Sequence, residues 1–132
     1  MAVRNKMSVH FMSQTVHWTT PKALYEDLDR EFHFNDDPCP LHGSGGLDRP
    51  WGDSTYCNPP YGREIGKWIV KAYTEARGGK TVVLLVPSRT DTAWFQDYCL
   101  KADEIRFIKG RLKFGDAVNS APFPSAVVVF RG

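Results

Sequence analysis

Apolar positions along this chain change period several times, and each change predicts an element boundary. After Thr20-Pro21, the residues Leu24, Tyr25 and Leu28 recur at helical spacing; a threonine N-cap and a proline at the first helical position predict a helix starting there. Phe32-His33-Phe34 predicts a short strand, closed by Asn35-Asp36-Asp37-Pro38. Residues 39–50 are rich in glycine and proline and hold no regular period, so they predict a loop. Ser54-Thr55-Tyr56-Cys57 is strand-like, and Ile65, Trp68, Ile69, Ala72 and Tyr73 form a helical stripe stopped by Gly78-Gly79. Thr81 to Val86 is a continuous run of β-branched residues and leucine, the pattern of a strand covered on both faces of a parallel sheet. Beyond Pro87-Ser88-Arg89-Thr90-Asp91 a helix carries Trp94, Phe95, Tyr98 and Leu100. Ile105 to Ile108, Leu112 to Phe114 and Ala126 to Phe130 predict three further β stretches, with residues 119–125 joining the last two.

Strands alternating with helices imply right-handed crossovers and an α/β, doubly wound sheet. Ligands in such sheets bind beyond the carboxyl ends of the strands. Asp37-Pro38, Asn58-Pro59 and Pro87-Ser88 each follow a predicted strand, so they are expected on one rim. Met1 to Thr19 has mixed polarity and no period and reads as an arm; residues 20–132 read as one domain.

Composition narrows the class. A chain of 132 residues can bury roughly two-thirds of its unfolded surface in a single core. With 42% hydrophobic and 24% charged residues it reads as soluble and globular. A net charge of +2 is compatible with nucleic acid without demanding it. The longest apolar run, Ala126 to Phe130, is too short to span a membrane, and the first residues lack the apolar stretch of a secretion signal. Three widely spaced cysteines form neither a disulfide framework nor a Cys-x-x-Cys zinc site, which points to a reducing cytoplasm. His10, His17, His33 and His42 have neither metal-ligand spacing nor a serine partner, and no metal is expected.

The chemistry concentrates in Asn58-Pro59-Pro60-Tyr61. Adjacent prolines fix φ near −65° and remove two N–H donors, so the loop is stiff and offers carbonyl acceptors beside an aromatic ring. That combination suits a flat amino-heterocycle, stacked on Tyr61 with its amine hydrogens accepted by the Asn58 side chain and the Pro59 carbonyl. The loop resembles the catalytic loop of amino-methyltransferases that use S-adenosylmethionine; the alternative is a Pro-Pro turn that only ends a strand. Cys57 invites a nucleophile reading, against which stands a buried strand cysteine. Gly43-Ser44-Gly45 looks like a phosphate cradle, but no helix pattern follows it and it reads as a connector.

Several further landmarks stand in order along the chain: His10-Phe11, Trp18-Thr19-Thr20-Pro21, Phe34 to Pro40, Gly46-Leu47, Pro50-Trp51, Pro87 to Thr92, Gly110 to Gly115 and Ala121 to Ser125. With Asn58 to Gly62 they make the chain similar, from about Val9 to Arg131, to the phage-type DNA adenine-N6 methyltransferases, the Dam family of phages and prophages. The resemblance implies a Rossmann-like S-adenosylmethionine-dependent fold, mostly parallel and ending in an antiparallel hairpin, for which Leu112–Phe114 and Ala126–Phe130 are the matching stretches. It implies methyl transfer from S-adenosylmethionine to the N6 amine of adenine in double-stranded DNA, in the cytoplasm of a bacterial host, by a monomer or homodimer. Asn58, Pro59, Pro60 and Tyr61 correspond to the catalytic loop. Thr20-Pro21 corresponds to the amino-terminal cofactor motif, and Asp37, Pro38 and Cys39 to the strand-end motif facing the methionine part, with Asn58 adjoining. For Asp37 a turn-capping role through its own backbone stands beside the cofactor role.

Many relatives have a longer segment before the Pro-Pro loop and an acid where Gly45 stands here, so this version of the fold is shortened. Asp48 and Asp53 are the carboxylates at hand for the cofactor ribose. DNA readout falls to the arm and to residues 109–125, with Arg63, Lys67, Arg89, Arg111 and Lys113 as candidate phosphate or base contacts. Two other functions fit the same loop: methylation of RNA or of a protein glutamine, and a catalytically silent DNA-binding relative.

Overall fold

The β-branched run beginning at Thr81 becomes the central strand of a sheet. In the computed structural model residues 19–40, 45–115 and 120–132 are described. Among them the order is α1 (Lys22–Phe32), β1 (Ser54–Cys57), α2 (Ile65–Arg77), β2 (Thr81–Pro87), α3 (Ala93–Asp97), β3 (Glu104–Phe107) and β4 (Ser125–Phe130). The four strands form one sheet in the order β1-β2-β4-β3. Val82 to Val86 and Val127 to Phe130 are buried on both faces, as their unbroken apolar runs require. Each fully buried valine or leucine contributes about 1.5–3 kcal/mol over its exposed state.

The expectation of a mostly parallel sheet is corrected by the pairing. β1 and β2 are parallel, with Ser54 opposite Thr81 and Cys57 opposite Leu84. β4 lies antiparallel to both β2 and β3. β1, β2 and β3 therefore point one way, and β4 runs back between β2 and β3. No helix lies in the described parts of the segment leading from β3 to β4, so the chain does not cross to the other end before re-entering the sheet. The hairpin partner of β4 is β3, with Ile105 opposite Val128, and not the stretch 112–114. There Phe114 turns inward as a buried side chain, while the Leu112 carbonyl accepts the Ala121 N–H at 2.7 Å.

Phe32-His33-Phe34 is likewise not a strand. α1 runs through Phe32 and closes on His33, a left-handed cap (φ 52°) whose N–H donates to the Asp29 carbonyl. Phe32, Phe34, Tyr25 and Tyr56 pack as a chain of rings, so the alternating aromatics serve the core and not a ladder. The strand signal survives only as a parallel bridge between Asp36 and Thr55, on the free edge of β1. α3 is shorter than its apolar pattern predicts: after Asp97 a 3₁₀ turn, Cys99–Lys101, follows, and Leu100 points to solvent.

α2 follows its predicted stripe, burying Ile65, Trp68, Ile69, Ala72 and Ala76. Trp51 stacks on Trp68 with centroids 6.3 Å apart and donates from Nε1 to the Gly46 carbonyl at 2.7 Å. A Cβ at Gly46 would collide with the Pro38 carbonyl and the Trp68 ring, so only glycine lets this segment lie so close. Glu75 of α2 ties the same segment down, accepting from Lys71 (2.8 Å), Lys80 (2.7 Å) and the Trp51 N–H (3.0 Å). Arg106 of β3 grips Glu31 of α1 through both of its terminal nitrogens, at 2.7 and 2.6 Å.

Candidate active site

β1 and β2 point the same way, so the segments after Cys57 and Pro87 emerge on one rim. The turn after the Asp36 bridge emerges there too. Because β4 runs backwards, its beginning at Ser125 stands opposite Pro87 on the same rim. Two backbone bonds sew the loops together: Ser88 N–H to the Pro124 carbonyl (2.9 Å) and Ile108 N–H to the Ser125 carbonyl (3.0 Å). The expected convergence of Asp37-Pro38, Asn58-Pro59 and Pro87-Ser88 is thus present.

Thr20 is not the helix cap that its position predicts. The N-cap of α1 is Pro21, without a side-chain bond. The Thr20 hydroxyl instead lies 2.6 Å from the Tyr56 hydroxyl and accepts from Asn58 Nδ2 at 3.2 Å. It therefore joins the arm-side motif to the Asn58 loop directly. Asn58 is half-buried, Pro59 buried and Pro60 half-buried, so the loop has one face in the protein and one toward the rim.

Tyr61 is 8% exposed. Its hydroxyl donates to the Leu85 carbonyl at 3.3 Å, anchoring the loop to β2. Phe123 and Phe114 meet the ring nearly edge-on, with centroids 5.4 and 6.4 Å away. Burial raises the phenol pKa well above its ordinary value, so the group stays a neutral donor. Tyr61 also lines a cleft of about 310 Å³ with Gly62, Ile65, Pro87, Arg89, Thr92 and Trp94. That volume is near the lower end of the roughly 300–1,000 Å³ range of small-molecule sites.

Asp37 lies on the neighbouring turn. Its Oδ1 accepts the Cys39 N–H at 3.2 Å, so the turn-capping role is real. Desolvation pushes its carboxyl above the usual range, with Asp36 adding to the rise and the Cys39 N–H and Arg49 opposing it. Arg49 is committed elsewhere: its two terminal nitrogens bind the two Asp36 oxygens at 2.8 and 2.9 Å. Asp37 itself is exposed and makes no ion pair among the described residues. Cys39 is half-buried, and burial pushes its thiol up to about 11. Cys57 is fully buried with a thiol raised well above its usual value, which fits the strand-core reading and not a nucleophile.

One family model, DNA N-6-adenine-methyltransferase (Dam), matches residues 8–130, almost the whole chain. The chain belongs to the Dam family. Membership implies DNA adenine N6-methyltransferase activity as the family's general property. No curated protein and no solved structure matches the chain. The mixed α/β architecture is consistent with a methyltransferase-like fold. No described helix is long and apolar enough to cross a membrane, and no cluster of metal-ligating side chains occurs among the described residues.

Within this Dam-family chain the structure brings Thr20, Pro21, Asp37, Pro38, Cys39, Asn58, Pro59, Pro60 and Tyr61 to one rim. Asp48 and Asp53 are both exposed, on the segment between Pro38 and β1. The candidate DNA contacts Arg63, Lys67, Arg89, Arg111 and Lys113 are all exposed. Arg89 borders the Tyr61 cleft, whereas Lys67 pairs with Glu64 on α2 at 3.0 Å. His10, Trp18, Gly43 and Ser44 lie outside the described residues, as do residues 116–119. Tyr56, Phe114, Phe123 and Trp94 join the site without having been assigned to it from sequence. For Tyr56 a signal exists: a tyrosine in a buried strand must find a partner for its hydroxyl.

Proposed function

We propose that this chain is an active DNA adenine-N6 methyltransferase of one domain, using S-adenosylmethionine on double-stranded DNA. The observation that carries the reading is the place of the Asn58 carboxamide: it opens the stiff Pro59-Pro60 loop on the rim where three loops converge, and Thr20 Oγ1 holds its Nδ2 at 3.2 Å. The N6 amine of adenine is a poor nucleophile because its lone pair is delocalised into the ring. Accepting its hydrogens at Asn58 Oδ1 and the Pro59 carbonyl biases the nitrogen toward tetrahedral geometry and stabilises the charge that develops on it. Tyr61, locked by its Leu85 bond and its two phenylalanine neighbours, offers a rigid ring to the flipped base, offsetting part of the few kcal/mol that unstacking costs. Bound S-adenosylmethionine supplies an already activated methyl group.

The residues present fit that co-substrate. Asp37 is an exposed carboxylate on the rim with no ion pair among the described residues, and a ligand ammonium group would supply one. Pro38 is buried against the glycine-rich segment, which holds the turn in place. The exposed cations Arg89, Arg111 and Lys113 sit on the loops around the site, where phosphate contacts would orient the duplex. The test is transfer of labelled methyl from S-adenosylmethionine to duplex DNA, to RNA and to a release-factor-type glutamine peptide. Label in DNA adenine supports the reading; label only in RNA or peptide, or none, overturns it.

A further inference from the structure

Tyr56 has a buried phenol whose only hydrogen-bond partner among the described residues is Thr20 Oγ1, at 2.6 Å. Its ring is held by Tyr25, which meets it edge-on at 5.1 Å, and by Phe34 at 5.4 Å. The residue is 2% exposed. A buried O–H left without an acceptor is costly, so the phenol must donate to Thr20. Thr20 Oγ1 is then an acceptor toward Tyr56 and, on its second lone pair, an acceptor toward Asn58 Nδ2 at 3.2 Å. The three groups come from the start of α1, from β1 and from the loop after it. Their contacts span 36 and 38 residues of sequence, so the arrangement is made by the fold and not by a local turn.

From this chain of bonds we infer that Thr20, held by Tyr56, is a positioning residue that sets the orientation of the Asn58 carboxamide. The inference rests on the proposed reaction, in which Asn58 Oδ1 must face the amine. An amide has two nearly isosteric ends, and only one accepts. With Nδ2 held at Thr20, the two ends of the amide keep one orientation without a rotamer search at each turnover. Neither Thr20 nor Tyr56 contacts the reacting atoms in this account. Desolvation raises the Tyr56 phenol far above its ordinary pKa, so the donor at the base of the chain does not ionise under working conditions.

The test is a comparison of Thr20→Val, Thr20→Ser and Tyr56→Phe in the full chain. Thr20→Val keeps the β-branched shape and removes the acceptor. It should lower kcat for DNA adenine by roughly ten- to a hundredfold, the scale of a small misplacement of a catalytic group. KM for DNA should stay within about threefold, the signature of a group acting only at the transition state. Thr20→Ser should restore kcat to within a few-fold of the parent, and Tyr56→Phe should lower it in the same direction by less. The side-chain amide signals of Asn58 in ¹⁵N spectra, identified by their loss in Asn58→Asp, should move in Thr20→Val and stay in Thr20→Ser. An unimpaired kcat in folded Thr20→Val, or a loss confined to KM for S-adenosylmethionine, overturns the inference alone. Unmoved Asn58 amide signals overturn it as well. A parent chain that transfers no methyl to DNA overturns the proposed function, and this inference with it.

Discussion

Asp37→Asn separates the two roles that the Asp37 carboxylate can have, because asparagine keeps the turn and removes only the charge. Its Oδ1 can still accept the Cys39 N–H, now at 3.2 Å. The sign of the stability change follows from linkage. The folded carboxyl has a pKa above its ordinary 3.8, chiefly through desolvation, so the native state binds this proton more tightly than the unfolded chain does. Stability contributed by the group is therefore highest below about pH 4, falls as pH rises through the raised folded value, and remains as a fixed penalty at neutral pH. Asn carries no such penalty. Ligand-free Asp37→Asn should melt at or above the parent at pH 7, with the difference closing in strong acid. Cofactor affinity should move the other way. A charge-assisted hydrogen bond to the ligand ammonium is worth about 1.5–3 kcal/mol, or about ten- to a hundredfold in Kd. At S-adenosylhomocysteine a hundredfold above the parental Kd, the parent gains about 2.7 kcal/mol from binding; the variant gains about 0.4–1.4 kcal/mol. At roughly 4 °C per kcal/mol, these are shifts of about 11 °C against about 2–6 °C. Differential scanning fluorimetry with and without ligand, backed by calorimetric titration, reads both quantities on one variant. Equal ligand shifts in parent and variant would refute the cofactor role. A ligand-free variant that melts well below the parent would show that the charge itself serves the turn.

Tyr61→Phe should cost about 0.5–1.5 kcal/mol of stability through the lost bond to Leu85, yet retain most base capture. Tyr61→Ala should cost about 3–5 kcal/mol by emptying the space between Phe114 and Phe123. It should also raise KM for DNA; denaturant unfolding and steady-state kinetics together check both, and equal kinetic damage from the two variants would contradict stacking. At Glu75 burial works to raise the carboxyl pKa, but bonds from Lys71, Lys80 and the Trp51 N–H outweigh it and hold it at about 2. Its stabilising contribution should be complete above about pH 4.5 and be lost as pH falls toward 2. Acid titration of parent and Glu75→Gln should show the two converging over that window, with the parent the more stable at neutral pH.

The sequence discloses those parts of the fold where one local period meets one burial pattern. The Ile65–Tyr73 stripe and the Thr81–Val86 run are of this kind: the first became a helix and the second a strand buried on both faces, although in a mixed and not a parallel sheet. Elsewhere the apolar residues answered to tertiary neighbours. Phe32 and Phe34 alternate like a strand because both join the rings around Tyr56, and Phe114 is apolar because it walls Tyr61. The direction of β4 was hidden for a different reason: an apolar run buried on both faces looks the same whichever way it runs. At the site, the stiffness of Asn58-Pro59-Pro60-Tyr61 and the convergence of three loops are readable from residue type and topology. The Thr20–Tyr56–Asn58 chain is not, since Thr20 looks locally like any helix cap and its partners lie 36 and 38 residues away.

The most direct test of the central claim is nucleoside mass spectrometry on DNA from methylation-deficient bacteria expressing the parent chain or Asn58→Ala. N6-methyladenine is expected in DNA with the parent. With Asn58→Ala the methylation rate should fall by about 100- to 1000-fold, while S-adenosylhomocysteine binding by the purified variant stays within a few-fold of the parent. Near-parental methylation by Asn58→Ala, or no N6-methyladenine from a parent chain that binds the cofactor, would contradict it.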